Sequence, residues 1–111
     1  MLTVDKLREF GADVDLGLAR CMNNEGFYLM LVGKAAEDQR LTLLAQQIAG
    51  GRTEAAFETA HVLKGMYANL SLDPLTKPVS EITELLRSKA DADYTALLNE
   101  AQAQFERLCA L

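Results

Sequence analysis

Residues 60–70 read AHVLKGMYANL and form the most informative stretch of the sequence. It contains His61, the only histidine in the chain, with Lys64 three residues later and Gly65 four residues later. In an α-helix, side chains three and four residues apart lie on the same face. If the stretch is helical, these residues form one surface patch.

The apolar residues around this stretch predict which side of the helix is buried. Successive helical residues are rotated by about 100° around the axis. On that rotation one narrow stripe, of the kind that packs into a core, is formed by Ala56, Ala60, Leu63, Tyr67 and Leu70. His61 falls about 140° from the stripe. Its neighbours in this projection are Phe57, Lys64, Gly65 and Ala68. The imidazole is therefore predicted to face solvent.

Lys64 and Gly65 favour a functional reason for this exposed histidine. The Lys64 ammonium lies one turn from His61, where it attracts an anion attached to the ring. A glycine inside a helix costs about 1 kcal/mol relative to alanine. One reason to keep Gly65 is space, because a position without a side chain lets a bulky group or another protein approach the ring.

The stretch resembles the signature of histidine-containing phosphotransfer (HPt) domains, AHxLKGxxxNL, at every specified position. The likeness extends back through LREFGADVDLGLARCMNNEGFY and forward into the leucine-spaced segment after Asp73. One departure is Ser71, where the family often has glycine at the end of the active helix. That difference changes how the helix ends and leaves the chemistry untouched.

The resemblance and the helical positions together predict the roles of seven residues. His61 is the expected phosphoryl acceptor, Lys64 stabilises the phosphoryl charge, and Gly65 gives steric access. The surface that a partner contacts is predicted to include Phe57, Glu58, Ala68 and Asn69.

The chemistry follows from the residue types present and absent. A neutral, exposed imidazole is a nucleophile near neutral pH, and it can release a phosphoryl group again because the P–N bond is labile. Phosphoryl transfer needs mainly positioning and charge stabilisation. The chain has no glycine-rich nucleotide loop and no obvious acidic cluster for magnesium. We therefore expect no cofactor, no bound metal and no enzyme activity of its own.

The nucleotide-binding and magnesium-binding groups that this chain lacks must come from other proteins. The resemblance implies a response-regulator receiver domain as the partner, with its own aspartate and Mg²⁺, and a sensor or hybrid histidine kinase in the same relay. The expected function is that of a phosphocarrier in a two-component phosphorelay. We expect a monomer.

Composition bounds the class of protein. A chain of 111 residues with 50% hydrophobic and 24% charged residues is typical of a single soluble domain, here residues 1–111. The net charge of −5 argues against a nucleic-acid partner. The sequence shows neither a membrane-spanning run nor a signal segment, so a cytoplasmic protein that does not bind membranes is predicted. Cys21 and Cys109 are predicted to be reduced core residues.

The helical periodicities predict an all-α fold, an antiparallel up-and-down four-helix bundle with short additional N-terminal helices. The predicted boundaries are a cap at Thr3 and a stop at Gly11, a cap at Asp13, a start at Asn23 or Asn24, a break at 37–40, a stop at Gly50-Gly51, and caps at Thr53 and Asp73. Pro74 is placed at the first helical position. Pro78 predicts an irregular first turn or a later start near Thr76.

Three other functions share some of these features. A sensor-kinase dimerisation helix also displays a histidine, but it usually has an acidic residue next, where this chain has Val62, and a nucleotide-binding domain downstream. A carboxylate-bridged dimetal bundle uses pairs like Glu58-x-x-His61, but it needs two of them facing inward. A helical adaptor or scaffold bundle with an unused HPt-like site is the main alternative.

Overall fold

A computed structural model describes residues 1–89 and 91–111, and these residues form helices without a strand. The helices are α1 (Val4–Phe10), α2 (Val14–Arg20), α3 (Glu25–Glu37), α4 (Arg40–Ala49), α5 (Thr53–Asn69), α6 (Asp73–Arg87) and α7 (Thr95–Cys109). The predicted all-α class is confirmed.

The last four helices form the bundle. α5 packs between α4 and α6, and α7 packs on α6 and closes against α3 and α4. The connections are short, which makes consecutive helices antiparallel neighbours. Asp38 and Gln39 separate α3 from α4, where a break was predicted. The Cys109 Sγ at the end of α7 donates to the Ala36 carbonyl at 3.4 Å, which joins the end of α7 to the end of α3.

Side-chain caps begin the first three helices as predicted. The side chains of Thr3, Asp13 and Asn24 each accept a hydrogen bond from a backbone N–H in the first turn. Gly11 ends α1 with a left-handed φ of +112°, a conformation that suits glycine.

The predicted caps of α5 and α6 are wrong by one residue. Thr53 and Asp73 are the first helical residues, and the cap positions are Arg52 and Leu72, without a side-chain cap bond. The chain has already turned at these residues: the Arg52 N–H donates to the Gln47 carbonyl, and the Leu72 N–H donates to the Tyr67 carbonyl, both at 2.9 Å.

The two prolines of α6 therefore lie further into the helix than predicted. Pro74 follows Asp73 inside the helix instead of occupying the first position. Pro78 is buried within a helix that is continuous from Asp73, so neither an irregular first turn nor a start near Thr76 is observed. Pro78 cannot donate a backbone hydrogen bond, and only the Pro74 carbonyl loses a helical donor.

α1 and α2 close one end of the bundle over the turn between α5 and α6. The Asp13 N–H donates to the Ser71 carbonyl at 3.0 Å, and the Arg20 guanidinium donates to the Ala68 carbonyl. The Tyr28 hydroxyl donates to the Leu70 carbonyl at 2.8 Å. Ser71 has a left-handed φ of +56°, which gives a physical reason for a glycine at this position.

The core collects buried side chains from every one of these helices. The predicted stripe of α5 is confirmed, with four residues fully buried and Leu70 3% exposed. Cys21 is buried and free as predicted, but Cys109 is exposed, because it lies about 100° around α7 from the buried Leu108. Partial burial and the nearby Glu106 carboxylate raise the pKa of the Cys109 thiol.

Within residues 1–89 and 91–111, no helix combines the length and the apolar character that crossing a membrane requires. The assignment of residues 1–111 to a single domain stays a prediction.

Candidate functional site

His61 lies on the solvent-facing side of α5, as its position relative to the buried stripe predicts. The next residue, Val62, is also exposed, at 48%. The buried Ala60 and Leu63 on either side fix the helix against the core. The imidazole is therefore presented to solvent from a helix that is anchored along its whole opposite face.

Phe57 orients the imidazole from one side. The two rings are stacked, with centroids 5.9 Å apart and planes inclined by 22°. This separation falls in the usual range for offset aromatic pairs, roughly 4.5–7 Å. Phe57 itself is half-buried beneath α6. The stacking supports one face of the imidazole, and its edge stays accessible.

Lys64 is less free than its sequence position suggests. Its side chain is 33% exposed, and its Nζ lies 3.7 Å from the Glu84 Oε1 on α6. The helical projection, which places Lys64 on the exposed surface with His61, therefore does not show that its ammonium is paired. The reason is tertiary, because α6 packs alongside α5 and brings a carboxylate to the level of Lys64.

Arg87 on α6 connects the ring of Phe57 to the Glu84 carboxylate. Its Nε lies 3.4 Å from the Glu84 Oε2, and its guanidinium carbon lies 5.2 Å from the centre of the Phe57 ring. The contacts thus run from His61 to Phe57, Arg87, Glu84 and Lys64, which is one turn from His61.

Gly65 is exposed, and a Cβ placed there would meet no heavy atom within 4 Å outside its own helix backbone. The glycine is therefore not needed for packing inside the bundle. The space next to His61 on this side is open, which is the condition for steric access.

The predicted docking residues occupy two neighbouring surfaces. Phe57 and Glu58 line a groove of about 430 Å³ whose other wall includes Arg87. Asn69 lines a smaller groove of about 180 Å³ facing α3. Ala68 is half-buried. The structure brings Phe57 into contact with His61 and places Asn69 toward the α3 side of α5.

Sequence reasoning missed Glu84 and Arg87. A signal existed, because the short turn at Ser71-Leu72 makes α5 and α6 an antiparallel pair. Residues at similar distances from that turn lie at the same level, and this relation pairs Phe57, about 14 residues before the turn, with Arg87, about 15 residues after it. It does not pair Lys64 with Glu84, which lie about 7 and 12 residues from the turn, so this signal existed for Arg87 only. The apolar stripe of α6 predicts its buried face but does not tell which flank lies beside His61.

Throughout residues 1–89 and 91–111, no group of three or more His, Cys, Asp or Glu side chains is arranged to hold a metal ion. That part of the chain offers no ligand set for the dimetal hypothesis.

The described residues thus combine a helical bundle with a histidine exposed on one of its helices. The family model described as Hpt domain matches residues 34–111, which include α4, α5, α6 and α7. The chain belongs to the Hpt domain family, whose members act as phosphocarriers in two-component signalling. The amino-terminal likeness LREFGADVDLGLARCMNNEGFY lies outside the matched residues. Comparison with curated proteins and with solved structures gives no significant match.

Proposed function

We propose that this protein is a phosphorelay carrier that accepts a phosphoryl group on His61 and passes it to or from the aspartate of a receiver domain. The observation that carries the proposal is the exposed imidazole on the anchored helix α5, inside the residues that match the family. The sole histidine of the chain has a cation one turn away and open space beside it.

The transfer step needs only a nucleophile on this side. A ring nitrogen of neutral His61 gives its lone pair to phosphorus, the P–O bond of the aspartyl phosphate breaks, and the aspartate leaves as a carboxylate. The proton of the imidazole stays on the other ring nitrogen. The reverse step restores the acyl phosphate, so the carrier both accepts and donates.

The other residues act on charge and access. Lys64 provides a charge-assisted contact to the phosphoryl oxygens, and Gly65 leaves room for the loops of the receiver. Phe57 and Glu58 form the contact surface beside the ring, with Ala68 and Asn69 further along α5. The Mg²⁺ ion of the reaction belongs to the receiver in this proposal.

The wider relay is inferred from the chemistry. A sensor or hybrid histidine kinase is the expected source of the phosphoryl group, and the exchange is expected in the cytoplasm, where ATP charges such kinases. We expect the carrier to act as a monomer, because His61 and Lys64 come from one chain.

The test is transfer from a phosphorylated receiver domain. The wild-type protein is expected to take up phosphate, and His61→Gln is expected to take up none while its melting temperature stays the same, because His61 is exposed. A His61→Gln variant that accepts phosphate at the wild-type rate would refute the assignment. A wild-type protein that accepts none from any receiver or from a chemical donor would favour the adaptor with an unused site.

A further inference from the structure

Glu84 bridges two cations beside His61. One carboxylate oxygen lies 3.7 Å from the Lys64 Nζ, and the other lies 3.4 Å from the Arg87 Nε. Lys64 is one turn from the imidazole, and Arg87 lies over the Phe57 ring that stacks on it. An anion therefore already bridges the two positive groups that a phosphoryl group on His61 would attract.

We propose that Glu84 is an internal competitor of the phosphoryl group and that Arg87 is a second cation for it. In the unphosphorylated protein, Glu84 holds Lys64 and Arg87. When His61 is phosphorylated, the phosphoryl oxygens take over these cations and Glu84 swings away. The inference rests on the proposed function, because it requires a phosphoryl group on His61.

The charges decide which anion holds the cations. A phosphoryl group has about two negative charges and three acceptor oxygens, whereas a carboxylate has one charge and two oxygens. Charge-assisted contacts to the phosphoryl group are therefore stronger. Glu84 then loses both partners and lies near a group of like charge, which raises the free energy of the phosphorylated state.

The size of the effect follows from exposure. The side chains of Glu84 and Arg87 are 56% and 53% exposed, and that of Lys64 is 33% exposed. Pairs of this kind are weak, and each is broken by rotating a flexible side chain. The competition therefore shifts an equilibrium several-fold and does not block transfer. For a carrier that must also give the group away, this bias keeps the exchange reversible.

Glu84→Gln tests the competition, because it removes the charge and keeps the shape. The ratio of phosphorylated carrier to phosphorylated receiver at equilibrium is expected to rise about three- to fivefold. The half-life of phosphohistidine on the isolated carrier, charged chemically with phosphoramidate, is expected to lengthen. This gain cannot come from damage to the fold. Glu84→Asp, which keeps the charge, is expected to stay near the wild-type ratio.

Glu81→Gln is the matched control. Glu81 is an exposed glutamate one turn earlier on α6, and its substitution makes the same change in net charge. It is expected to leave the ratio near the wild-type value. Glu84→Gln is also expected to raise the ratio less in a Lys64→Ala background than in the wild-type protein. The reason is that one of the two cations for which the anions compete is then absent.

The outcomes separate the two proposals. If wild-type protein is phosphorylated but Glu84→Gln leaves the ratio unchanged or lowers it, the inference is overturned and the proposed function stands. An equal rise in Glu81→Gln also overturns the inference, because the effect is then one of net charge. If neither a phosphorylated receiver nor phosphoramidate phosphorylates the wild-type protein, the proposed function fails and the inference falls with it.

Discussion

Single residues on α5 divide between buried ones that hold the helix and exposed ones to which we assign the proposed exchange. Ala60 and Leu63 are fully buried, while His61 and Gly65, their neighbours in sequence, are exposed. Substitutions on the exposed side therefore change the chemistry with little effect on folding. This separation makes the site testable one residue at a time.

Lys64→Ala is expected to slow transfer from a receiver about tenfold, equivalent to roughly 1–2 kcal/mol. The lost group is the cation nearest the incoming phosphoryl group along α5. The free energy of unfolding is expected to fall by less than about 1 kcal/mol, because the pair with Glu84 is partly exposed. Transfer at full rate together with a lower melting temperature would assign Lys64 to structure instead.

Gly65→Ala and Gly65→Gln separate access from packing. The alanine variant is expected to keep or raise the melting temperature, because alanine favours a helix by up to about 1 kcal/mol and its Cβ meets nothing nearby. The glutamine variant is expected to fold as well but to transfer poorly, because its side chain fills the approach to His61. A large drop in melting temperature for Gly65→Ala would contradict the access role.

At the scale of helices, the contact between α2 and α3 depends on the absence of a side chain. Gly17 on α2 is buried against Tyr28, and a Cβ there would lie 2.6 Å from the Tyr28 Cε1. Tyr28 cannot easily move aside, because it is fully buried and its hydroxyl is bound to the Leu70 carbonyl. The small end helices are thereby held to the turn that follows α5.

Gly17→Ala is expected to destabilise the fold by about 1–3 kcal/mol through overpacking. Gly33→Ala is the control, since Gly33 is also helical but a Cβ there meets nothing within 4 Å. It is expected to keep or raise stability. Chemical denaturation of both variants measures the difference. Equal stability of the two would show that α2 is not packed closely on Tyr28.

Features that depend on a single helix can be predicted from the sequence, whereas contacts between two helices cannot. The buried stripe of α5 and the exposure of His61 follow from the periodicity of a single helix. The pair of Lys64 with Glu84 depends on how α5 and α6 are aligned, which no local pattern states. The caps at Thr53 and Asp73 fail because the chain reverses at Arg52 and Leu72, so that each helix begins one residue earlier than predicted. Cys109 lies in an apolar pattern, but it is one residue away from Leu108, which occupies the buried side of α7.

Burial of Tyr28 and Tyr67 makes the whole molecule less stable at alkaline pH. Burial raises the pKa of Tyr28 from 10.0 to about 12, with smaller contributions from nearby acidic groups. Burial also raises the pKa of Tyr67, whose hydroxyl has no hydrogen-bond partner among the described residues. The unfolded chain loses these protons at lower pH than the folded chain. These tyrosines therefore leave the free energy of unfolding unchanged below about pH 10 and lower it as pH rises above that value.

The free energy of unfolding, measured in urea over this alkaline range, is expected to fall by up to about 1.4 kcal/mol per pH unit for each such tyrosine. Tyr28→Phe is expected to be less stable at neutral pH by about 1 kcal/mol, because the bond to Leu70 is lost, and to decline less steeply. Tyr67→Phe is expected to cost little at neutral pH. An unchanged slope in both variants would contradict this assignment.

The most direct test of the central claim is to locate the phosphate on the wild-type protein after incubation with a phosphorylated receiver domain. Trypsin cleaves after Arg52 and Lys64, so His61 is released in a peptide covering residues 53–64. We predict one phosphoryl group on this peptide, stable in alkali and lost in acid, as expected of phosphohistidine. Phosphate that survives acid, or phosphate on any other peptide, would contradict the claim that His61 is the acceptor.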